Sequence, residues 1–147
     1  MQIKGNNIII ETLDINNLPD YQNMIKTSLF EDQDLVLKLS VTEPKAYFYQ
    51  ITKNDEIIGT IGYDVISMIN EFKLAKLHLA ISNLDYLNEA LSLLLSHAIL
   101  NNFVVKMVCH TNDENILKCL KMNKFIFEKN INKLVEYKIT KPLYLAR

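Results

Sequence analysis

The sequence predicts a three-layer α+β fold, in which about four helices flank a mixed central sheet of about seven strands. The first observation is a strand–helix–strand unit between Leu77 and His110, where a period-two apolar segment, a helical apolar run and a second apolar strand follow one another. Such a unit joins two parallel strands by a crossover helix and buries the pair on both faces. The second observation is that period-two segments on both sides of this unit are joined by short turns, as in antiparallel hairpins. The two kinds of pairing together make the sheet mixed.

The N-terminal half is predicted to contain strands of β-branched and aromatic residues and two helices. Pro19 suits the first turn of the first helix, and Pro44 follows the second. The predicted elements are, in order, a strand over 7–13, a helix from residue 19, a short helix over 33–39, a hairpin of strands 46–52 and 57–65, and a strand over 72–81. Met68-Ile69-Asn70 is expected to form the turn before the last of these strands.

The C-terminal half continues with the crossover helix and its second strand. The helix buries one side, formed by Leu87, Ala90, Leu91, Leu94, Leu95, Ala98 and Ile99. Thr111-Asn112-Asp113-Glu114 matches a capping box, which predicts a helix that begins with the Thr111 hydroxyl as its cap. The last predicted elements are a strand over 103–109, a helix with Ile116, Leu117 and Leu120 inside, and a hairpin whose strands contain Phe125, Phe127, Val135, Tyr137 and Ile139.

The length and composition of the chain indicate how many domains it forms and which kinds of partner it is expected to bind. A chain of 147 residues with 49% hydrophobic residues is predicted to form one domain over residues 1–147. The formal net charge of −1 gives no basic field for phosphates, so we expect no nucleic-acid partner. We also expect no membrane span and no metal site, and a cytoplasmic location. Cys109 and Cys119 have no CxxC spacing and are predicted to be reduced core residues.

Two segments and the order of elements resemble the GNAT N-acetyltransferase superfamily. Residues 54–62, Asn-Asp-Glu-Ile-Ile-Gly-Thr-Ile-Gly, are similar to its turn followed by an "IIG" strand, and Asp113 to Phe125 is similar to its helix N-x-x-A-x-x-L-Y-x-K-x-G-F. In that helix Phe125 matches, whereas Leu120 stands at the Tyr position and Lys124 at the Gly position. The resemblance implies the acyl-coenzyme A N-acyltransferase fold. It also implies transfer of an acetyl group from acetyl-coenzyme A to a primary amine by direct attack.

The superfamily's coenzyme A signature, Q/R-x-x-G-x-G/A, is missing at the start of the central helix. Its glycines let backbone N–H groups approach a pyrophosphate, but the last glycine of this chain is Gly62. Aligning the helix on Leu93-Leu94 puts Asp85, Asn88 and Ala90 at the motif positions, and aligning it on Leu94-Leu95 puts Tyr86, Glu89 and Leu91 there. Asp85 is expected to cap the helix with its carboxylate and so to compete with a phosphate.

The resemblance also assigns expected site residues. The backbone of Leu79, Ala80 and Ile81 is expected to hold the pantetheine arm, and Asn115 is expected to reach the cofactor from the next helix. The residues expected to face the pyrophosphate are Tyr86, Leu87, Asn88, Glu89 and Ala90. His78 and His110 are the candidate catalytic bases because both lie near the expected site and imidazole titrates near neutrality. Leu120 cannot donate a proton as the family's Tyr does.

Two functions are compatible with these observations. One is an acetyl-coenzyme A-dependent N-acetyltransferase whose acceptor is a small-molecule or peptide amine. The other is a catalytically inactive GNAT-like module for binding or dimerisation, which the lost glycines and Leu120 favour. A homodimer is compatible with either. An open V between the fourth and fifth predicted strands would count against the inactive module, because it would leave room for the pantetheine arm.

Overall fold

The computed structural model describes residues 2–27 and 46–146, and it confirms the predicted fold class. The strands are β1 (Gln2–Lys4), β2 (Ile9–Thr12), β3 (Ala46–Lys53), β4 (Glu56–Ile69), β5 (Phe72–Ile81), β6 (Val104–Thr111), β7 (Ile126–Ile131) and β8 (Leu134–Thr140). The helices are α1 (Leu18–Thr27), α2 (Leu87–Asn101), α3 (Glu114–Met122) and α4 (Lys141–Leu145). Short 3₁₀ turns, Ile15–Asn17 and Leu84–Tyr86, precede α1 and α2. The helix predicted over 33–39 lies outside the described residues.

The strands of the described chain form one eight-stranded sheet in the order β1-β2-β3-β4-β5-β6-β8-β7. Only β5 and β6 are parallel, and the other neighbours are antiparallel. The sheet has one strand more than expected because β1 pairs with β2, with Ile3 opposite Ile10. A three-residue strand of this kind is too short for a period-two pattern to be seen.

The strand β4 is longer than predicted, since it continues to Ile69 rather than ending at Val65. The pairing with β5 shifts by one residue between Val65 and Ser67, which leaves Ile66 as the extra residue of a β-bulge. The bulge interrupts the alternation on which the sequence prediction depends. The turn therefore lies at Asn70, which has a φ of 56°.

The sheet buries apolar side chains on both faces. On one face Leu77, Leu79 and Ile81 of β5 pack in the same cluster as the inner side of α2 and the apolar residues of α3. On the other face Ala80 packs against Tyr21 and Ile25 of α1. Even-numbered and odd-numbered residues of β5 thus face opposite layers.

In the crossover helix, Leu94 and Leu95 are both almost completely buried and Leu93 only partly. Of the two alignments with the coenzyme A signature, the packing therefore favours the one set on Leu94-Leu95. In that alignment Tyr86, Glu89 and Leu91 stand at the signature positions. Across residues 2–27 and 46–146, every helix is too short or too polar to span a membrane.

Candidate active site

The parallel pair β5–β6 opens into a V. Its ladder runs from Lys73 opposite Val104 to Lys76 opposite Val108 and ends there. Beyond this last pair β5 continues to Ile81 and β6 to Thr111, each paired only with its outer neighbour, β4 or β8. The two inner edges of the V therefore present backbone groups that no strand of the described chain uses.

The alternation along β5 determines which of its backbone N–H groups point into the V. Lys73 donates its N–H to the carbonyl of Phe103, on the β6 side, whereas Ser82 donates to the carbonyl of Ile58, on the β4 side. Because the direction of the N–H alternates along a regular strand, Leu77, Leu79 and Ile81 present their N–H groups to the V. The side chains of Leu79, Ala80 and Ile81 are buried, so only their backbone can contact a ligand.

The two histidines proposed as bases lie on opposite sides of the V and on the same face of the sheet. His78 and His110 are each two residues beyond the last paired residues, Lys76 and Val108. His110 is directly opposite Glu136, and Cys109 and Met107, which point the other way, pack with α2. Both imidazoles therefore face the layer opposite α2.

Each histidine is bonded to a carboxylate. The Nε2 atom of His78 lies 2.5 Å from Oδ1 of Asp64 on β4, and its ring lies edge-on to Phe48. The Nε2 atom of His110 lies 2.8 Å from Oε1 of Glu136 on β8. A carboxylate bonded to one ring nitrogen fixes the orientation and tautomer of the imidazole.

Sequence reasoning proposed both histidines as candidates but not their hydrogen-bonded partners, Asp64 and Glu136. Their pairing depends on strand register, which places Glu136 across from His110 although the two are 26 residues apart. The only signal in the sequence is a charged residue within each apolar strand, at the positions of Asp64 and Glu136. Both carboxylates are nearly buried, which the alternation alone would not predict.

The expected cap of the crossover helix was wrong. The side chain of Asn83 accepts the N–H of Asp85 and caps the short 3₁₀ turn, while Asp85 itself is exposed. The helix α2 begins one turn later with Tyr86 at its N-cap, whose side chain makes no capping hydrogen bond. Residues Leu84–Tyr86, which lie around the predicted start of α2, form this 3₁₀ turn instead. The N-terminus of α2 therefore keeps the partial positive charge that favours an anion.

The side chains of Glu89 and Asn88 are engaged with other parts of the chain. Glu89 accepts the backbone N–H groups of Asn7 and Ile8, at 3.1 and 2.9 Å, and the side-chain amide of Asn7 at 2.9 Å. Asn88 accepts the side-chain amide of Asn123 at 2.7 Å. Leu87 and Ala90 are buried, and Tyr86 is partly buried below the ammonium of Lys53. The backbone N–H groups of Tyr86 and Leu87 donate to the carbonyls of Asn83 and Leu84. A phosphate is therefore left with the backbone of Asn88, Glu89 and Ala90.

The start of α3 also differs from the prediction. Asp113 caps this helix through bonds from the N–H groups of Asn115 and Ile116, and the Thr111 hydroxyl accepts the N–H of Asp113 instead. Asp113 can cap because the short turn that Thr111 closes brings its carboxylate over the first helical N–H groups. The side chain of Asn115 is exposed, and Leu120 is buried in the core.

Several aromatic residues pack in the core, and Cys109 and Cys119 are buried free thiols, as predicted. Tyr47 stacks on Tyr63 with ring centroids 5.1 Å apart. Burial raises the pKa of Tyr49 to about 12 and that of the Cys119 thiol to about 11. These groups stay protonated near neutral pH, so Cys119 is no nucleophile there. No cluster of three or more metal-ligating side chains occurs in residues 2–27 and 46–146.

Comparisons with known proteins identify the fold. No protein-family model matches the sequence, and no curated protein matches it. Solved structures, however, match over nearly the whole chain. The dodecameric spermidine N-acetyltransferase from Vibrio cholerae has a TM-score of 0.76 at 13% identity, covering 96% of this chain and 98% of that chain. The GNAT-family acetyltransferase from Bacillus anthracis has a TM-score of 0.68 at 14% identity, covering 97% and 99%. The chain has the GNAT fold.

A third structure with the GNAT fold widens the range of acceptors among the neighbours. The Salmonella typhimurium acetyltransferase that modifies the N-terminal serine of ribosomal protein L7/L12 has a TM-score of 0.73 at 13% identity, covering 95% of this chain and 99% of that chain. The predicted resemblance is thus confirmed at the level of the fold. At these identities the GNAT fold alone does not determine an acceptor or an activity.

Proposed function

We propose that this chain is an N-acetyltransferase that moves an acetyl group from acetyl-coenzyme A to a primary amine. The observation that supports the proposal is the V between β5 and β6, whose ladder ends at Lys76 and Val108. A scaffold that had lost cofactor binding would have no need to keep two adjacent parallel strands apart. An extended pantetheine arm has the shape and the amide groups to pair with the open edge of β5.

The residues around the V are compatible with acetyl-coenzyme A, which supplies an activated thioester carbonyl when bound. Leu79 and Ile81 offer backbone N–H groups on the inner edge of the V. The residues proposed to face the pyrophosphate remain Tyr86 to Ala90 at the start of α2, which Asp85 does not cap. The N–H groups of Tyr86 and Leu87 donate within the 3₁₀ turn, so the helical N–H groups offered to a phosphate follow Leu87. Asn115 is exposed and can contribute from α3. These assignments retain the expected cofactor-binding residues, with the side chain of Glu89 excluded because it holds Asn7 and Ile8.

His78 and His110 are the candidate bases in the proposed reaction. The amine nitrogen attacks the thioester carbonyl, an imidazole takes one proton from the amine, the C–N bond forms, the C–S bond breaks and coenzyme A leaves as its thiolate. A backbone N–H on the inner edge of β5 stabilises the negative charge on the carbonyl oxygen. Leu120 takes no part in proton transfer, so the thiolate is protonated by solvent.

The proposed acceptor is a small-molecule or peptide amine. Both kinds are represented among the neighbours, by spermidine in the Vibrio cholerae enzyme and by a protein N-terminal serine in the Salmonella typhimurium enzyme. A cytoplasmic location and a homodimer belong to the same proposal. The spermidine N-acetyltransferase from Vibrio cholerae, which is similar in structure, is a dodecamer.

A GNAT-like binding module without catalysis is the second candidate. The observations that favour it are the buried Leu120 at the family's Tyr position and the lack of any glycine after Gly62. The two candidates differ in turnover, because only an enzyme releases free thiol.

Calorimetric titration with acetyl-coenzyme A tests the proposal. Heat of binding is expected, together with thiol release when spermidine or a peptide with N-terminal serine is added. Asp85→Asn removes a negative charge beside the start of α2 and is expected to tighten binding a few-fold. Asn130→Ala on β7 is a control and should leave binding unchanged. Absence of heat and of a thermal shift at millimolar acetyl-coenzyme A would refute the enzyme, and binding without thiol release would favour the module.

A further inference from the structure

Two histidine–carboxylate pairs lie across one face of the sheet, and they differ in exposure. The side chains of His78 and Asp64 are 1% and 9% exposed, whereas those of His110 and Glu136 are 21% and 11% exposed. A base must contact the amine that it deprotonates. Of the two imidazoles, His110 is the one with a surface that a substrate can contact.

The bond from His110 to Glu136 selects the nitrogen that is able to accept a proton. An ionised carboxylate is only an acceptor, so the Nε2 atom of His110 carries the hydrogen of the 2.8 Å bond. In the neutral imidazole the lone pair is then on Nδ1. Glu136 itself is held by the β6–β8 ladder, directly opposite His110, and its position is thus fixed by backbone pairing.

We propose that Glu136 is a positioning residue that holds His110 in the Nε2–H tautomer at the edge of the V, with Nδ1 as the proton acceptor for the amine. This inference rests on the proposed acetyl transfer. It assigns different roles to the two pairs. The exposed pair, His110 and Glu136, serves proton transfer, and the buried pair, His78 and Asp64, fixes the geometry of β4 and β5 beneath the acceptor.

Several charged side chains lie near His110. On the same face of the sheet, Lys129 of β7 is directly opposite Glu136, Lys138 of β8 and Lys76 of β5 flank Val108, and Lys106 lies further along β6. Asp113 is three residues further along the chain but uses its carboxylate to cap α3. Besides Glu136, the acidic groups of strands β4 to β8 on this face are Asp64 of β4, which is bonded to His78, and Glu128 of β7, which is bonded to Lys138.

The first test is a long-range proton–nitrogen NMR titration of the histidine rings. The wild-type protein is expected to show His110 protonated at Nε2 in its neutral form. Glu136→Gln should release the tautomer of His110, because the Gln amide can donate to Nε2 as well as accept from it. Glu128→Gln is the matched control, since Glu128 lies one strand away and bonds Lys138 instead. The same single tautomer of His110 in the wild-type and Glu136→Gln proteins would overturn the proposal.

The second test is the steady-state kinetics of acetyl transfer with acetyl-coenzyme A and spermidine, or the serine peptide if only that acceptor turns over. Glu136→Gln is expected to lower kcat about tenfold with little change in KM. Glu136→Asp should restore part of kcat, and Glu128→Gln should leave kcat and KM unchanged. An unchanged kcat in Glu136→Gln contradicts this inference alone. Failure of the wild type to transfer acetyl to either acceptor contradicts the proposed function, even where the NMR result is as expected.

Discussion

Lys124 is a non-glycine residue in a backbone conformation that favours glycine. Lys124 stands where the GNAT helix motif has Gly, and its φ is 71°, in the left-handed region that favours glycine. The conformation persists because the N–H groups of Lys124 and Phe125 close the end of α3 on the carbonyls of Lys121 and Leu120. The ammonium of Lys124 also binds the carbonyls of Tyr144 and Ala146.

The first prediction compares Lys124→Gly with Lys124→Ala. Both substitutions lose the ammonium contacts, but only glycine removes the steric cost of a positive φ. The glycine variant should therefore be more stable than the alanine variant by about 1 kcal/mol in urea unfolding. Equal stability of the two variants would mean that the end of α3 relaxes and that Lys124 is unstrained.

Candidate site residues could be predicted from the sequence only in part. The positions of His78 and His110 at the ends of two adjacent strands follow from the βαβ pattern, which is local. Their partners Asp64 and Glu136 depend on which strands pair and in which register, and both are set by packing that the sequence does not state. The resemblance indicated the fold but gave no position for these partners.

At the scale of elements, the start of α2 is where local sequence signals gave the wrong answer. Asn83 and Asp85 are both good capping residues, and the prediction placed the cap at Asp85. The structure inserts a 3₁₀ turn over Leu84–Tyr86, so that Asn83 caps the turn and Asp85 points outwards. Contact between Glu89 and the loop before β2 then fixes the first turn of α2.

The second prediction follows from this capping arrangement. Asn83→Ala should destabilise the protein by about 1 kcal/mol because it removes the hydrogen bond to the N–H of Asp85. Asp85→Ala should change the free energy of unfolding by less than about 0.5 kcal/mol, as for other exposed sites. Urea unfolding of the two variants in parallel checks this. The reverse order of the two effects would show that Asp85, rather than Asn83, starts this segment.

At the scale of the whole molecule, the mixed sheet could be predicted but the V could not. The alternation and the crossover helix indicate which strands exist and that β5 and β6 run parallel. The end of their ladder at Lys76 and Val108 is a property of the twist and packing of all eight described strands. No residue pattern in β5 or β6 marks the point where they separate.

The packed core also determines how the molecule responds to alkali. Burial raises the pKa of Cys119 from 9.0 to about 11 and that of Tyr49 from 10.0 to about 12, and it raises the pKa of Tyr63 as well. In each case the folded state keeps a proton that the unfolded chain has already lost. Stability is therefore complete below the unfolded pKa and falls as pH rises towards the folded one.

The third prediction is that the free energy of unfolding starts to fall near pH 9, because of Cys119, and falls more steeply above pH 10, when the tyrosines contribute. Each fully shifted group lowers stability by about 1.4 kcal/mol per pH unit within its interval. Cys119→Ala removes the first interval, so the stability difference between wild type and variant should shrink by about 1 kcal/mol between pH 9 and pH 10. Urea unfolding at half-unit steps of pH measures both curves. If they stay parallel across this range, the thiol of Cys119 is ionised as easily in the folded core as in the unfolded chain, and the packing of α3 against the sheet is looser than its buried side chains indicate.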